Sequence, residues 1–181
     1  MQTRMMYCVN SEGTIVQAES SISEESALGD PTFAYPFSFP DIVGRSLFSF
    51  IKGAEVRNIY GMLHQRILNG KGPIKFDYRC DSPDIRREMR MSLDFDNCLV
   101  RYESVVLKET QRAVSIPLPS PTAALIIPIC SNCQKYKYPA DAQDWKEIDL
   151  ILSDQDLPEQ FNFSHTFCDV CYQKFMLEAL S

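Results

Sequence analysis

The chain has 181 residues, of which 45% are hydrophobic and 11% aromatic, and its formal net charge is −6 at pH 7. This length fits one domain, or one domain with a small appended module. The composition excludes a chain that is disordered throughout, because it supplies enough apolar side chains for a core. The apolar run at residues 123–127 is far too short to span a bilayer, and the chain opens without a charged-then-apolar leader. We therefore expect a soluble, cytoplasmic protein with no membrane partner.

The first predicted elements are a pair of strands and two helices. Residues 5–9 are apolar, residues 10–13 (NSEG) favour a turn with a positive φ at Gly13, and residues 14–18 resume an extended pattern. Asp41 is a suitable N-cap for a short helical stretch over residues 42–51. A longer helix follows, because four apolar residues recur at helical spacing before Asn69 and Gly70 end it. These residues are Val56, Ile59, Leu63 and Ile67.

Three sequential strands are predicted next. Residues 74–80 alternate strictly between apolar and charged side chains, residues 89–95 alternate again after a turn at 81–84, and residues 99–107 form the third strand. The complete order indicates an α+β domain, residues 1–112, with a five-stranded antiparallel sheet and short helices on one face. Residues 113–121 hold three prolines at alternate positions and are predicted to form an extended linker.

Residues 122–181 contain two C-x-x-C pairs, Cys130 with Cys133 and Cys168 with Cys171. Four thiolates in two pairs can complete a tetrahedral shell around one structural zinc ion, which leaves no open position for catalysis. A redox dithiol is the competing interpretation, but we expect no strand-then-helix setting around either pair. His165 can replace one sulfur or hydrogen-bond to one, and the supporting role is the simpler interpretation. The sequence therefore predicts a small zinc-binding module.

The acidic charge is concentrated in this C-terminal part. Residues 122–181 contain 4 Lys and 9 Asp or Glu, a net charge of −5. Affinity for nucleic acid depends on cationic contacts with phosphates. A zinc-ribbon transcriptional regulator that binds nucleic acid is an alternative function. The net negative charge of residues 122–181 argues against it.

A cluster of charged residues surrounds the predicted turn at 81–84. It consists of Arg79, Arg86, Arg87 and Arg90 together with Asp81, Asp84 and Glu88. Arg86 and Arg87 can bind an anionic ligand or an acidic partner. The simpler interpretation is that Arg79 and Asp81 hold the turn by charge-assisted hydrogen bonds, while the other arginines are solvated.

Four stretches of the chain carry a family resemblance, namely residues 7–13 (YCVNSEG), 42–51 (IVGRSLFSFI), 79–83 (RCDSP) and 86–89 (RREM). They are similar to stretches of proteins of the PAS family. With the paired cysteines and the S-H-x-x-C-x-x-C ending, most of the chain apart from residues 19–40 resembles bacterial PAS-like proteins with a C-terminal zinc-ribbon-like segment. The resemblance implies a PAS-like sensor domain, a homodimer and a sensory or signalling role, but no defined reaction.

The resemblance also directs attention to His64 on the longer predicted helix. Haem-binding PAS proteins carry their axial histidine near the position that corresponds to His64. His64 is therefore a candidate haem ligand. A lone helical histidine is more often structural or solvent-facing. The N-C-R-F-L-Q-type motif of light-sensing PAS relatives is absent from the sequence. We therefore expect neither haem nor flavin as a cofactor.

The expected function is that of a signalling or regulatory protein that senses a cue or binds another signalling protein. The sequence contains no Gly-rich phosphate loop, no H-E-x-x-H motif and only two histidines, so we do not expect an enzyme. The alternatives that remain are a redox sensor that uses the paired cysteines and the nucleic-acid-binding regulator considered above.

Overall fold

The computed structural model describes residues 4–21, 39–116, 119–120, 122–139, 141–153 and 160–180. The strands in these ranges are β1 (Arg4–Val9), β2 (Ile15–Ser20), β3 (Ile74–Arg79), β4 (Ile85–Asp96), β5 (Leu99–Gln111), β6 (Ile126–Cys130) and β7 (Asn162–Thr166). The α-helices are α1 (Ala54–Leu68) and α2 (Asp169–Leu180), and the 3-10 helices are Phe39–Ile42, Leu47–Ser49 and Ile148–Ser153. Within the described ranges, neither α-helix has the length and apolar character needed to cross a membrane.

Strands β1 to β5 form one antiparallel sheet in the order β2-β1-β5-β4-β3. The first strand therefore lies inside the sheet, beside a partner from much later in the chain. The longest pairing is the β4–β5 hairpin, whose register runs from Ile85 opposite Gln111 to Asp96 opposite Leu99. The predicted α+β class and five-stranded antiparallel sheet are confirmed. The turn between β1 and β2 has a φ of 84° at Gly13, as the sequence predicts.

Helix α1 covers one face of this sheet. All four apolar residues that predict the helix are buried, and they share one core cluster with Leu93 and Tyr102 of the sheet. The helix ends where the sequence predicts, because Asn69 leaves the helical conformation and Gly70 has a φ of 73°. The predicted helix and its C-terminus are confirmed.

The start of α1 contacts the C-terminal part of the chain. Gly53 precedes the helix with a φ of 84°, and a Cβ atom there would clash with the backbone carbonyl of His165 on β7. The carboxylate of Glu55 accepts hydrogen bonds from the N–H of Phe167 (3.1 Å) and from the hydroxyl of Thr166. The N-terminus of α1 is thus hydrogen-bonded to the segment that precedes the second cysteine pair.

The continuous helical stretch predicted for residues 42–51 is wrong. The structure has two 3-10 turns in this region, with Gly44 at a φ of 84° between them. Part of the backbone in this segment bonds to β2. The N–H of Gly44 donates to the carbonyl of Ile15 (2.7 Å), and the N–H of Ile15 donates to the carbonyl of Arg45 (2.9 Å). Because these groups pair with the strand, they cannot form the hydrogen bonds of an α-helix.

The described residues after position 121 add a small parallel sheet and helix α2. Strands β6 and β7 pair in parallel, with Ile126 opposite Asn162 and Cys130 opposite Thr166. A second core cluster lies beside these strands. It contains Ile116, Ile127, Ile129, Tyr136, Ile148, Ile151 and Phe161.

Helix α2 belongs to the main core. Phe175 is 1% exposed, and its ring packs edge-on against Phe76 of β3, with the ring centroids 4.7 Å apart. Cys130, Cys168 and Cys171 lie in the same core cluster as α1 and the five-stranded sheet. The parts of the chain on either side of the predicted linker, residues 113–121, therefore share a core. Residues 117–118 and 121 of that linker lie outside the described residues.

Candidate metal centre

The four predicted cysteines come together in the structure as free thiols. Their Sγ atoms all lie within 4.8 Å of one another, and those of Cys133 and Cys168 are 3.8 Å apart. Four sulfurs bonded to a tetrahedral ion at about 2.3 Å are themselves about 3.8 Å apart. Cys130, Cys168 and Cys171 are buried, and Cys133 is half-buried. The donor set and its spacing fit a metal ion such as zinc.

The first pair is presented by a tight turn after β6. Cys130 ends the strand, its N–H donates to the carbonyl of Lys135 (2.8 Å), and its carbonyl accepts from the N–H of Gln134 (2.9 Å). Gln134 has a φ of 60°, which reverses the direction of the chain. The Sγ atoms of Cys130 and Cys133 lie within 4.8 Å of each other at this turn.

The second pair lies at the junction of β7 and α2. Because β6 and β7 are parallel neighbours, the residues that follow them lie at the same end of the small sheet. Cys168 directly precedes α2, and Cys171 lies in its first turn. The expectation that neither pair has a strand-then-helix setting is wrong here, because the helix begins immediately at Asp169, an acidic residue favoured at helix N-termini. The proximity of all four sulfurs still favours one shared ion over a separate dithiol.

Hydrogen bonds to sulfur stabilise a thiolate within the cluster. The pKa of the Cys130 thiol is lowered, first by hydrogen bonds from the thiols of Cys133 and Cys171 and then by the backbone N–H groups of Cys133 and Cys168. The same bonding raises the pKa of the Cys133 and Cys171 thiols, because each directs its proton toward Cys130. The side-chain N–H of Asn132 also donates to Cys171 Sγ (3.4 Å). Such donors favour the ionised sulfur that binds metals.

His165 lies on β7 and is outside the group of potential ligands, which among the described residues consists of the four cysteines. Burial lowers the pKa of its ring, and the positive charge of Lys52 lowers it further. The ring is therefore neutral at pH 7. Its backbone carbonyl makes the close approach to Gly53, so its position contributes to the contact between β7 and α1.

His64, the candidate haem ligand, is 1% exposed in the main core. Its Nε2–H donates to the carbonyl of Asn10 (3.1 Å), and its Nδ1 lies 3.0 Å from the hydroxyl of Tyr102. With the proton on Nε2, a neutral ring accepts the Tyr102 O–H at Nδ1. Both ring nitrogens are engaged within the protein, so an axial bond to haem iron would have to displace one of these partners.

We predict that the protein loses stability as the pH falls below about 6.5, partly through His64. Burial lowers the pKa of His64 below its usual 6.5, and the hydrogen bond to Asn10 opposes this only in part. The unfolded chain therefore takes up a proton before the folded chain does. The contribution of neutral His64 to the free energy of unfolding is complete above pH 6.5. It declines as the pH falls toward the folded-state pKa.

Urea unfolding of wild type and His64→Gln at about pH 7.5 and pH 5.5 measures this effect. Glutamine can form both hydrogen bonds of His64 but does not titrate in this range. The variant should therefore lose less stability than wild type between the two pH values. An equal loss in the two proteins would contradict the prediction.

The arginines around the turn at 81–84 are paired with carboxylates. Arg79 forms an ion pair with Asp81, as predicted, and both side chains are buried. The prediction that the other arginines are solvated is wrong for Arg87, which is 4% exposed and lies 2.8 Å from Glu109. Arg87 is buried because β4 begins earlier than the apolar alternation indicates, at Ile85, and so carries this side chain into the sheet.

Arg112 has a buried side chain that sequence reasoning missed. It directly follows β5, and its side chain is 6% exposed. Its Nη2 lies 2.6 Å from Asp81, and its Nε lies 2.6 Å from Asp149. Both partners are more than 30 positions away in the chain, so no local pattern marks this arginine. The only local feature that could have drawn attention to Arg112 is its position between a long strand and a proline-rich segment.

Comparison with known proteins assigns no family. No family model matches the chain, and no curated protein matches it. The structure itself defines an α+β chain with a five-stranded antiparallel sheet and a cluster of four cysteines that can hold a metal ion.

Proposed function

We propose that this chain is a PAS-like regulatory protein that acts by binding another protein, and that a structural zinc ion fastens its C-terminal segment to the PAS-like domain. The observation that carries the proposal is the group of four cysteine sulfurs within 4.8 Å of one another, next to the core shared by α1, α2 and the sheet. Four-sulfur tetrahedral sites typically hold zinc or an iron–sulfur centre. Zinc with four thiolate ligands has no open coordination position, so its role is structural.

The sheet supports the PAS part of the proposal. The element order that resembles the PAS fold is two strands, short helices, one longer helix and three sequential strands. The chain has this order, and the described residues between β2 and β3 form α1 and two 3-10 helices. The stretches that are similar to PAS proteins fall on β1 and the turn after it, on the segment before α1, on the connection from β3 to β4, and on β4.

The packing between α1 and the sheet favours protein contacts over a small-molecule ligand. Side chains from both layers, including Leu63, His64, Leu93 and Tyr102, are at most 1% exposed. The ring of Tyr102 stacks on that of Tyr7, with centroids 5.1 Å apart, and also on His64. A cofactor between the layers would have to displace these side chains. We therefore assign the regulatory role to a change in protein contacts.

Metal analysis of the purified protein tests the proposal. We expect about one zinc ion per wild-type chain and much less in Cys130→Ser/Cys171→Ser, because each pair then loses one of its two ligands. Absorbance of the same wild-type sample should show no haem or flavin band.

The matched control is Cys8→Ser/Cys98→Ser, which removes two cysteines outside the cluster and should retain its zinc. Equal zinc in wild type and Cys130→Ser/Cys171→Ser would reject the site. A haem or flavin band would reject the cofactor-free core.

A further inference from the structure

Arg79 links the five-stranded sheet to the first cysteine pair. It is the last residue of β3, the edge strand of the sheet, and its side chain is 8% exposed. Burial of a guanidinium is costly unless carboxylates and carbonyls accept its hydrogen bonds. The partners of Arg79 therefore indicate what the protein gains from this buried charge.

Arg79 holds two backbone carbonyls of the cysteine turn. Its backbone N–H donates to the carbonyl of Asn132 at 2.7 Å, and its side-chain Nη1 donates to the carbonyl of Cys133 at 3.4 Å. These carbonyls belong to the two peptide planes on either side of the Cys133 Cα atom. The orientation of those planes determines the direction in which the Cys133 side chain leaves the backbone. Arg79 therefore restricts where the Cys133 sulfur can lie.

Carboxylates fix the orientation of the guanidinium. Asp81 forms an ion pair with Nη2. Glu147 lies 3.1 Å from Nη1 and Asp149 lies 3.5 Å from Nη2, and both come from the chain between the two cysteine pairs. Arg112 contacts both aspartates at 2.6 Å. These partners surround a planar group with several donors, which an arginine provides and a lysine does not.

We propose that Arg79 is a positioning residue that sets the metal affinity of the cysteine centre. This inference rests on the proposed zinc site. Zinc requires four sulfurs at one spacing, and a turn that is already held near that geometry loses less conformational freedom when the ion binds. Arg79 supplies this restraint from the sheet, so the metal affinity depends on the integrity of β3.

Competition between the protein and a chromophoric zinc chelator measures the affinity. Arg79→Lys keeps the positive charge and the backbone bond to Asn132 but cannot hold the Cys133 carbonyl and the carboxylates from one planar group. Its zinc affinity should be about 10- to 100-fold weaker than that of wild type, the loss typical of residues that orient metal ligands. Arg87→Lys is the matched control, because Arg87 is also buried, lies on the neighbouring strand and pairs with Glu109. Its zinc affinity should stay within about twofold of wild type.

Cobalt(II) gives a second measurement that a general loss of stability would not change. The absorption bands of thiolate-bound Co²⁺ depend on the arrangement of the four sulfurs. Arg79→Lys should shift these bands, and Arg87→Lys should leave them unchanged. Unchanged bands and zinc affinity in Arg79→Lys would overturn the inference and leave the zinc site intact. Equal weakening in both lysine variants would also overturn it. A wild-type protein that binds no zinc would instead overturn the proposed function.

Glu147→Gln covers the case in which Arg79→Lys does not fold. The Glu147 side chain is 44% exposed and lies 3.1 Å from Arg79 Nη1, so its replacement leaves the buried part of the network in place. The glutamine amide oxygen can still accept a hydrogen bond, but the ion pair with the guanidinium is lost. A smaller decrease in zinc affinity, in the same direction, is expected. Unchanged affinity in this variant would overturn the proposal.

Discussion

Removal of the proposed zinc ion by a chelator should lower the free energy of unfolding by about 4 kcal/mol, relative to protein with free zinc a thousandfold above its dissociation constant. For a chain of this size, the midpoint of thermal unfolding should fall by on the order of 10 °C. The reason is that the native state presents four sulfurs to one ion, with Cys130, Cys168 and Cys171 in the main core. Thermal scans with EDTA, with and without zinc restored, measure the change.

Hydrogen exchange shows which part of the molecule depends on the metal. The amides of α2 should exchange faster after chelation, because Cys171 lies in the first turn of this helix. Cys130→Ser/Cys171→Ser is the control, and its unfolding midpoint should not respond to EDTA. An unchanged midpoint in wild-type protein that has demonstrably lost its zinc would contradict the prediction.

Phe175→Ala should destabilise the protein by about 3–5 kcal/mol, the usual cost of removing a buried phenyl ring. Phe175 packs against Phe76 of β3 and lies 5.1 Å, centroid to centroid, from Phe167. The substitution therefore leaves a cavity between α2 and the sheet. Urea unfolding measures the free energy of both proteins under conditions in which the metal is equally saturated.

Leu177→Ala on the same helix is the control for this substitution. Leu177 is 71% exposed, so the free energy of unfolding should change by at most about 0.5 kcal/mol. Equal losses in the two variants would contradict the prediction, because alanine is the best helix former and only packing distinguishes the two positions.

Elements with a strong local pattern were predictable from the sequence. The alternation from Ile74 to Cys80 and the helical spacing from Val56 to Ile67 both identify their elements, because each pattern is set by the period of its own backbone. The cysteine cluster was predictable for a chemical reason. Two C-x-x-C pairs are each complete as local ligand turns, and one ion needs both.

Features that depend on distant partners were not predictable in this way. Residues 42–51 have helical capping and composition, yet Gly44 and Arg45 bond to Ile15 of β2. Arg79 looked like a local turn residue because Asp81 is two positions away. Its contact with the carbonyl of Cys133, 54 positions later, has no signal in either segment. Such contacts arise from tertiary packing, which overrides local preference.

The close approach at the start of α1 limits which sequences this fold can accept. Gly44 and Gly53 have the same φ of 84°, but the two positions differ in their surroundings. Among the described residues, nothing lies within 4 Å of a Cβ at position 44, so only the positive φ opposes a side chain there, and asparagine tolerates a positive φ better than most residues. At position 53 the carbonyl of His165 leaves no room for any side chain. Substitution is therefore less costly at Gly44 than at Gly53.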